Sequence, residues 1–157
     1  MRLSPAAIEQ LYRSHGHLVL RRARILMGSE AEAQEALQEV FASLLHEPAS
    51  VGTSAVGWLY RATTHFCLNQ LRNRRTGARL LEAAAPQVPA LASAEMLAEV
   101  RSLLSRLPSE VAAAAVYHHV DGMTHTEVAE LLGCSRRQVG YLLERARREA
   151  AGAEKSA

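Results

Sequence analysis

The chain has 157 residues, 48% hydrophobic, 22% charged and 4% aromatic, with a net charge of +2, which allows one domain or two small ones with modest cores. Its richness in Ala, Leu, Arg and Glu, with few β-branched runs, excludes a sheet protein and predicts an all-α fold. Cys67 and Cys134 stand apart with no metal-type spacing, so neither a disulfide framework nor a zinc site is expected and both thiols are expected to be buried. No apolar signal core or membrane-length apolar run is present, which predicts a cytoplasmic chain without membrane insertion.

Ser4 followed by Pro5 predicts a helix start, because Pro at the first helical position forgoes no needed hydrogen bond. Ile8, Leu11, Tyr12, Leu18, Val19, Ala23 and Leu26 mark its apolar face, and Gly16 predicts a break or kink. Ser29 with Glu32 reads as a capping box opening a helix that runs to about His46, with Glu30 near the positive end of the dipole. Ala33, Leu37, Val40, Phe41, Leu44 and Leu45 are its expected buried side. A loop rich in Pro, Ser, Gly and Thr follows, and then a helix starting between Ser54 and Trp58. That helix carries Trp58, Leu59, Ala62, Phe66, Cys67 and Leu71 inward and Arg61, His65, Asn69, Arg72 and Arg75 outward.

Residues 77–93 lose periodicity, contain Pro86 and Pro89, and read as a linker between a domain at 1–76 and a second at 94–151, with a tail at 152–157. In the second domain Met96, Leu97, Val100, Leu103 and Leu104 mark one helix, Leu107-Pro108 closes it and starts the next, 112–117, which ends in the turn Asp121-Gly122. Thr124 with Glu127, and Ser135 with Gln138, are two further capping-box pairs separated by Gly133. Val128, Leu131 and Leu132, then Val139, Leu142, Leu143 and Ala146, give these two helices apolar stripes. Arg137, Tyr141, Arg145 and Arg148 occupy the other face of the second. A short capped helix, a Gly turn and an Arg-rich helix make the helix-turn-helix plan, whose second helix enters a DNA major groove. An ordinary helical hairpin with a solvated basic face fits the same pattern. Gly140 inside that helix costs about 1 kcal/mol relative to Ala, which calls for a backbone close to DNA or to the preceding helix.

Charge is segregated. Residues 25–60 carry five glutamates and no Lys or Arg, residues 61–79 carry five arginines and no acid, and residues 136–148 carry five arginines against Glu144. Two basic segments suit nucleic acid, and the acidic one suits a basic protein surface.

With these motifs in place, the chain over residues 5–148 resembles a bacterial RNA polymerase sigma factor of the extracytoplasmic-function (ECF) group. Glu35-Ala-Leu-Gln-Glu-Val-Phe41 resembles the family's polymerase-docking helix. Trp58-Leu-Tyr-Arg61 with Leu71-Arg-Asn-Arg-Arg75 resembles its promoter-melting helix, and 107–147 its helix-turn-helix. The resemblance implies a transcription initiation subunit, not an enzyme, with no cofactor and no metal. Its partners would be promoter DNA and core polymerase, through the clamp of the largest subunit and the flap of the second-largest, with room for an anti-sigma factor. It also implies nucleoid association when polymerase-bound. Glu32, Glu35, Gln38 and Glu39 would meet the polymerase. Ser50, Thr53, Ser54, Arg61, His65, Asn69, Arg72 and Arg75 would meet the −10 element, with the 47–56 loop holding an extruded base. Thr124, Ser135, Arg136, Arg137, Gln138, Gly140, Tyr141, Glu144, Arg145 and Arg148 would meet the −35 element. The chain departs from the family at Glu35, Ala36, His65, Asn69 and, in the recognition helix, at Gly140, Tyr141 and Leu142.

Two other readings compete. A helix-turn-helix regulator acting without core polymerase would leave the acidic helix and the first basic helix unexplained. An enzyme or metal site built from His15, His17, His118, His119 and His125 lacks carboxylates or cysteines at ligand spacing.

Overall fold

The computed structural model describes residues 3–46, 55–77 and 94–155, all helices and short connections. The predicted base-holding residues Ser50, Thr53 and Ser54, the side chain of Arg75 and residues 78–93 of the predicted linker lie outside this description.

Helix α1 spans Pro5–Met27. The Ser4 hydroxyl accepts from the Ala7 N–H at 3.2 Å, and Gly28 ends the helix at φ 70°, donating to the Arg24 carbonyl at 2.9 Å. The break expected at Gly16 is absent, because α1 is continuous there. Gly16 is buried, and a Cβ on it would stand 3.8 Å from the Tyr12 ring and 3.9 Å from Leu37. Those are ordinary van der Waals separations, so the missing side chain neither breaks the backbone ladder nor is required by the neighbouring helix. Helix α2, Glu30–Ser43, is that neighbour, opened by the Ser29 hydroxyl accepting from the Glu32 N–H at 3.4 Å. It stops short of His46, because Leu45 and His46 donate to Ala42 and Ser43 in a tighter turn. The change of register puts Leu45 outside at 48% exposure instead of in the expected core, while Leu44 is fully buried.

Helix α3 spans Ala55–Gly77. Leu59 joins Ile8, Val19, Leu37, Val40, Phe41 and Leu44 in one core, with Trp58, Ala62 and Phe66 packed against it. Thr63 and Thr64 are fully buried although polar. Their hydroxyls donate to the Leu59 and Tyr60 carbonyls at 2.6 and 2.8 Å, which satisfies them inside the helix.

By packing, the described chain divides within α3. One unit holds α1, α2 and α3 through Cys67; the other holds α3 from Leu68 together with the chain from Glu95 onward. Helix α4 is Ala94–Arg106, and α5 is Ser109–Ala115. A π-helical turn at Val116–Val120 follows α5 directly, so the helix that Leu107-Pro108 starts, as expected, extends on both sides of 112–117. Helix α6 is His125–Leu132 and α7 is Arg136–Lys155. Val111, Val116, Tyr117, Val128 and Val139 are essentially inaccessible, and buried Ala112, Ala113 and Ala114 allow close helix approach. Helix α4 follows its predicted face only in part. Arg101, Leu104 and Ser105 are buried, whereas Met96 and Val100 are exposed at 57% and 42%.

Cys67 is fully buried, and burial pushes its thiol up to about 12. Cys134 is only half-buried, because it sits in the turn between α6 and α7, so the expectation of two buried thiols holds for the first alone.

Candidate functional site

The helix-turn-helix is built by local chemistry. The Thr124 hydroxyl accepts from the Glu127 N–H at 3.2 Å and the Glu127 carboxylate accepts from the Thr124 N–H at 2.7 Å, a complete capping box. Gly133, at φ 67°, turns the chain, and the Ser135 hydroxyl accepts from the Gln138 N–H at 3.0 Å to start α7. Thr124 and Ser135, both in the predicted −35 set, are therefore the residues that shape the turn. On α7, Val139, Leu142, Leu143 and Ala146 are buried, which leaves Arg136, Arg137, Gln138, Tyr141, Glu144, Arg145 and Arg148 exposed.

Arg137 is preorganised on this face. Its Nε donates to the Tyr141 hydroxyl at 3.2 Å, and its guanidinium lies 5.8 Å from the Tyr141 ring centroid. Glu144 pairs with Arg147 at 2.9 Å, and that hydrogen bond holds its carboxyl below the usual range. The pair partly offsets the charge of Arg147 on this exposed face. Gly140 lies half-buried, and an added Cβ there would meet nothing within 4 Å. The preceding helix is thus not close to it, which removes one of the two reasons expected for a glycine here.

Helix α2 turns Ala33, Ala36, Leu37, Val40 and Phe41 inward. Glu35, Gln38 and Glu39 are exposed on its other side, with Glu32 half-buried. Glu30 stands apart from this row. Both its oxygens accept from Arg24, at 2.7 and 2.8 Å, and Gln34 donates at 3.1 Å. These bonds, Arg24 first, lower its carboxyl from about 4.5 to about 2.

On α3, Arg61, His65 and Asn69 are exposed at four-residue steps, as the helical spacing predicts. Arg72 differs, being half-buried. Its Nη1 donates to the Ser109 hydroxyl and its Nη2 to the Leu107 carbonyl, both at 3.1 Å. Two buried charged residues, Arg22 and Arg101, escaped the sequence reading. Arg22 is 7% exposed, donates from Nε to the Thr64 hydroxyl at 2.9 Å and lies 5.0 Å from the Tyr60 ring centroid, tying α1 to α3. Its only signal was its place on the apolar side of α1 beside Val19, Ala23 and Leu26.

His118, His119 and His125 come together, with ring centroids 4.9 and 5.0 Å from that of His118. The His118 Nδ1 lies 2.7 Å from the Met123 carbonyl, which can only accept, so Nδ1 carries the proton. Among the described residues no group of His, Cys, Asp or Glu is arranged to hold a metal ion. The three imidazoles instead line a groove of about 630 Å³ with Val100, Leu103, Leu107 and Leu143. No helix among the described residues is long and apolar enough to cross a membrane.

Residues 11–76 match the family model of sigma-70 region 2, and residues 97–149 match that of sigma-70 region 4. The ECF RNA polymerase sigma factor SigM of Mycobacterium tuberculosis is 31% identical over 144 residues, covering 90% of this chain and 74% of SigM. SigE of Mycolicibacterium smegmatis, another ECF RNA polymerase sigma factor, is 27% identical over 151 residues, covering 90% of this chain and 59% of SigE. The fold is shared with two solved structures. CnrH, in complex with the cytosolic domain of CnrY, aligns with a TM-score of 0.54 at 24% identity, over 98% of this chain and 90% of that one. RpoE from Bartonella quintana, in complex with the anti-sigma factor NepR, aligns with a TM-score of 0.59 at 17% identity, over 94% and 96%. An acidic helix face, a basic helix and a helix-turn-helix in this order, with both family models and a relative that shares most of its length, place the chain: it belongs to the extracytoplasmic-function group of the sigma-70 family of RNA polymerase sigma factors.

Proposed function

We propose that this chain binds core RNA polymerase and directs it to a promoter through three separate faces. The exposed row Glu35, Gln38 and Glu39 on α2, flanked by Glu32, meets a basic surface on the clamp of the largest subunit. Arg61, His65 and Asn69 on α3, with Arg72 and Arg75, meet the −10 region, and Ser50, Thr53 and Ser54 hold an extruded base. Arg136, Arg137, Tyr141, Arg145 and Arg148 on α7, together with Gln138 and Gly140, meet the −35 element, and Glu144 tempers their charge. Thr124 and Ser135 retain hydroxyl capacity for a phosphate while capping their helices.

The observation that carries this reading is the coexistence, on one chain, of the exposed acidic face of α2 and the arginine-bearing outer face of α7. A DNA-binding regulator needs only the second. The apolar groove beside α4 and α7 suits the polymerase flap, whose docking would cover Val100 and Leu103. Two sigma-fold structures are complexes, one with CnrY and one with the anti-sigma factor NepR, and this supports an anti-sigma partner here. The protein acts as a binding subunit, and it associates with the nucleoid through polymerase.

Run-off transcription with purified core polymerase on a promoter library tests the proposal, paired with a pull-down of core by the double variant Glu35→Lys, Glu39→Lys. Specific transcripts from the wild type, and loss of core binding by a folded double variant, are expected. Specific duplex binding by the chain alone, with no transcripts in the presence of core, would establish the regulator reading instead.

A further inference from the structure

Tyr141 is a large aromatic residue left 57% exposed on the basic face of α7, so core packing does not account for it. Its hydrogen bond and its ring contact are both with Arg137, one helical turn earlier. The Arg137 Nε donates to the Tyr141 hydroxyl at 3.2 Å, and the guanidinium carbon lies 5.8 Å from the ring centroid. On a helix the residues three and four positions ahead are the neighbours a side chain can reach. For Arg137 these are Gly140, which has no side chain, and Tyr141. The partner is also neutral: Arg147 gives a hydrogen bond to the Glu144 carboxylate, whereas Arg137 gives one to a phenol and keeps its whole charge for DNA. This bond divides the donors of Arg137. A guanidinium can meet a pair of acceptors either with Nε and one terminal nitrogen or with both terminal nitrogens. With Nε taken, the second pair is what remains for the O6 and N7 of a guanine.

We propose that Tyr141 is a positioning residue for base reading: it holds the Arg137 Nε so that the two terminal nitrogens are presented together to a guanine edge in the −35 element. The inference rests on the −35 role proposed above for Arg137. An arginine on a bare helix face has rotamers to lose when it binds, and the bond to Tyr141 removes part of that loss in advance. Phosphate contacts carry no sequence information, so the gain falls on discrimination between bases and not on overall affinity.

The test measures binding of reconstituted holoenzyme to the best promoter from a randomised −35 library, and to the same promoter with its preferred guanine replaced. Wild type, Tyr141→Phe, Arg137→Ala and the double variant are compared. Tyr141→Phe keeps the ring and removes the acceptor, at an exposed position where the fold does not depend on the hydroxyl. The ratio of the two affinities is expected to fall by about threefold to tenfold in Tyr141→Phe. Affinity for unrelated DNA and its salt slope should stay as in the wild type, because no charge is lost. Arg137→Ala should lower the same ratio further, and adding Tyr141→Phe to it should change nothing more. An unchanged ratio in Tyr141→Phe overturns the positioning role. So does a fall that also appears in the Arg137→Ala background, which would mean that Tyr141 touches DNA itself. In either case a lowered ratio in Arg137→Ala leaves the −35 reading standing. A library with no guanine preference, or a ratio that Arg137→Ala does not alter, overturns base reading by Arg137 and the positioning with it.

Discussion

Gly140→Ala isolates the cost of a glycine in the middle of the recognition helix. Position 140 lies inside α7, with Val139 fully buried on one side of it and Tyr141 exposed on the other. A Cβ built there meets no heavy atom within 4 Å, so the substitution adds no clash and removes no contact. What remains is the backbone entropy of glycine, and the expected gain is about 1 kcal/mol. If the unit containing α7 melts on its own, the midpoint should rise by about 4–8 °C; if the chain melts as one, by about 2–4 °C. Thermal unfolding followed by circular dichroism distinguishes these, and denaturant midpoints at unchanged slope give the free energy independently. A midpoint that stays put or falls would refute the reasoning, since it would mean that the backbone at 140 is held by something other than the helix itself. Gly140→Arg enters the same open space and should keep the fold. On DNA it should raise affinity for unrelated −35 sequences and steepen the salt dependence by about one unit of slope.

Four other outcomes are expected. Glu30 has a carboxyl lowered to about 2, so its contribution to stability is present above its ordinary value near 4.5 and is lost as pH falls toward 2; Glu30→Gln should flatten the acid limb of the stability profile in that window, and an unchanged limb would count against the Arg24 pair. At pH 8 a thiol reagent should modify Cys134 readily and Cys67 only on unfolding, because burial keeps the Cys67 thiol protonated to about 12; two equally fast thiols would contradict the packing around α3. Thr64→Val removes the acceptor of the buried Arg22 Nε and should cost about 1–3 kcal/mol in denaturant unfolding, well beyond a surface Thr→Val change. Arg137→Ala should relax preference at one −35 base by about 1–3 kcal/mol in selection from a randomised promoter library, whereas Arg145→Ala should weaken all sequences alike; identical preferences for wild type and Arg137→Ala would move promoter choice to the first unit.

Local chemistry was legible in the sequence because its determinants lie three or four residues apart. Thr124 with Glu127, Ser135 with Gln138, Gly133 at its positive φ and the stripe from Val139 to Ala146 are short-range patterns, and they lay out two capped helices joined by a tight turn before any packing is known. The exposed glutamates of α2 follow from the same periodicity, since Ala33, Leu37 and Val40 define the opposite side. What tertiary structure decided is where a residue's partner comes from another part of the chain. Gly16 looked like a break, and only the continuous helix with Tyr12 and Leu37 beside it shows the position to be packed. Arg22 and Thr64 drew no reading from the sequence, because the hydrogen bond between them joins residues 42 positions apart. Helix α4 offered one apolar stripe, and its packing used only part of it, burying Leu104 together with Arg101 and Ser105 and leaving Met96 outside. Arg72 looked equivalent to Arg61 along one helix face, yet its hydrogen bonds to Leu107 and Ser109 distinguish the two. Periodicity tells which side of a helix a residue is on, but not what lies opposite, and the desolvation or pairing of a charge depends on the second.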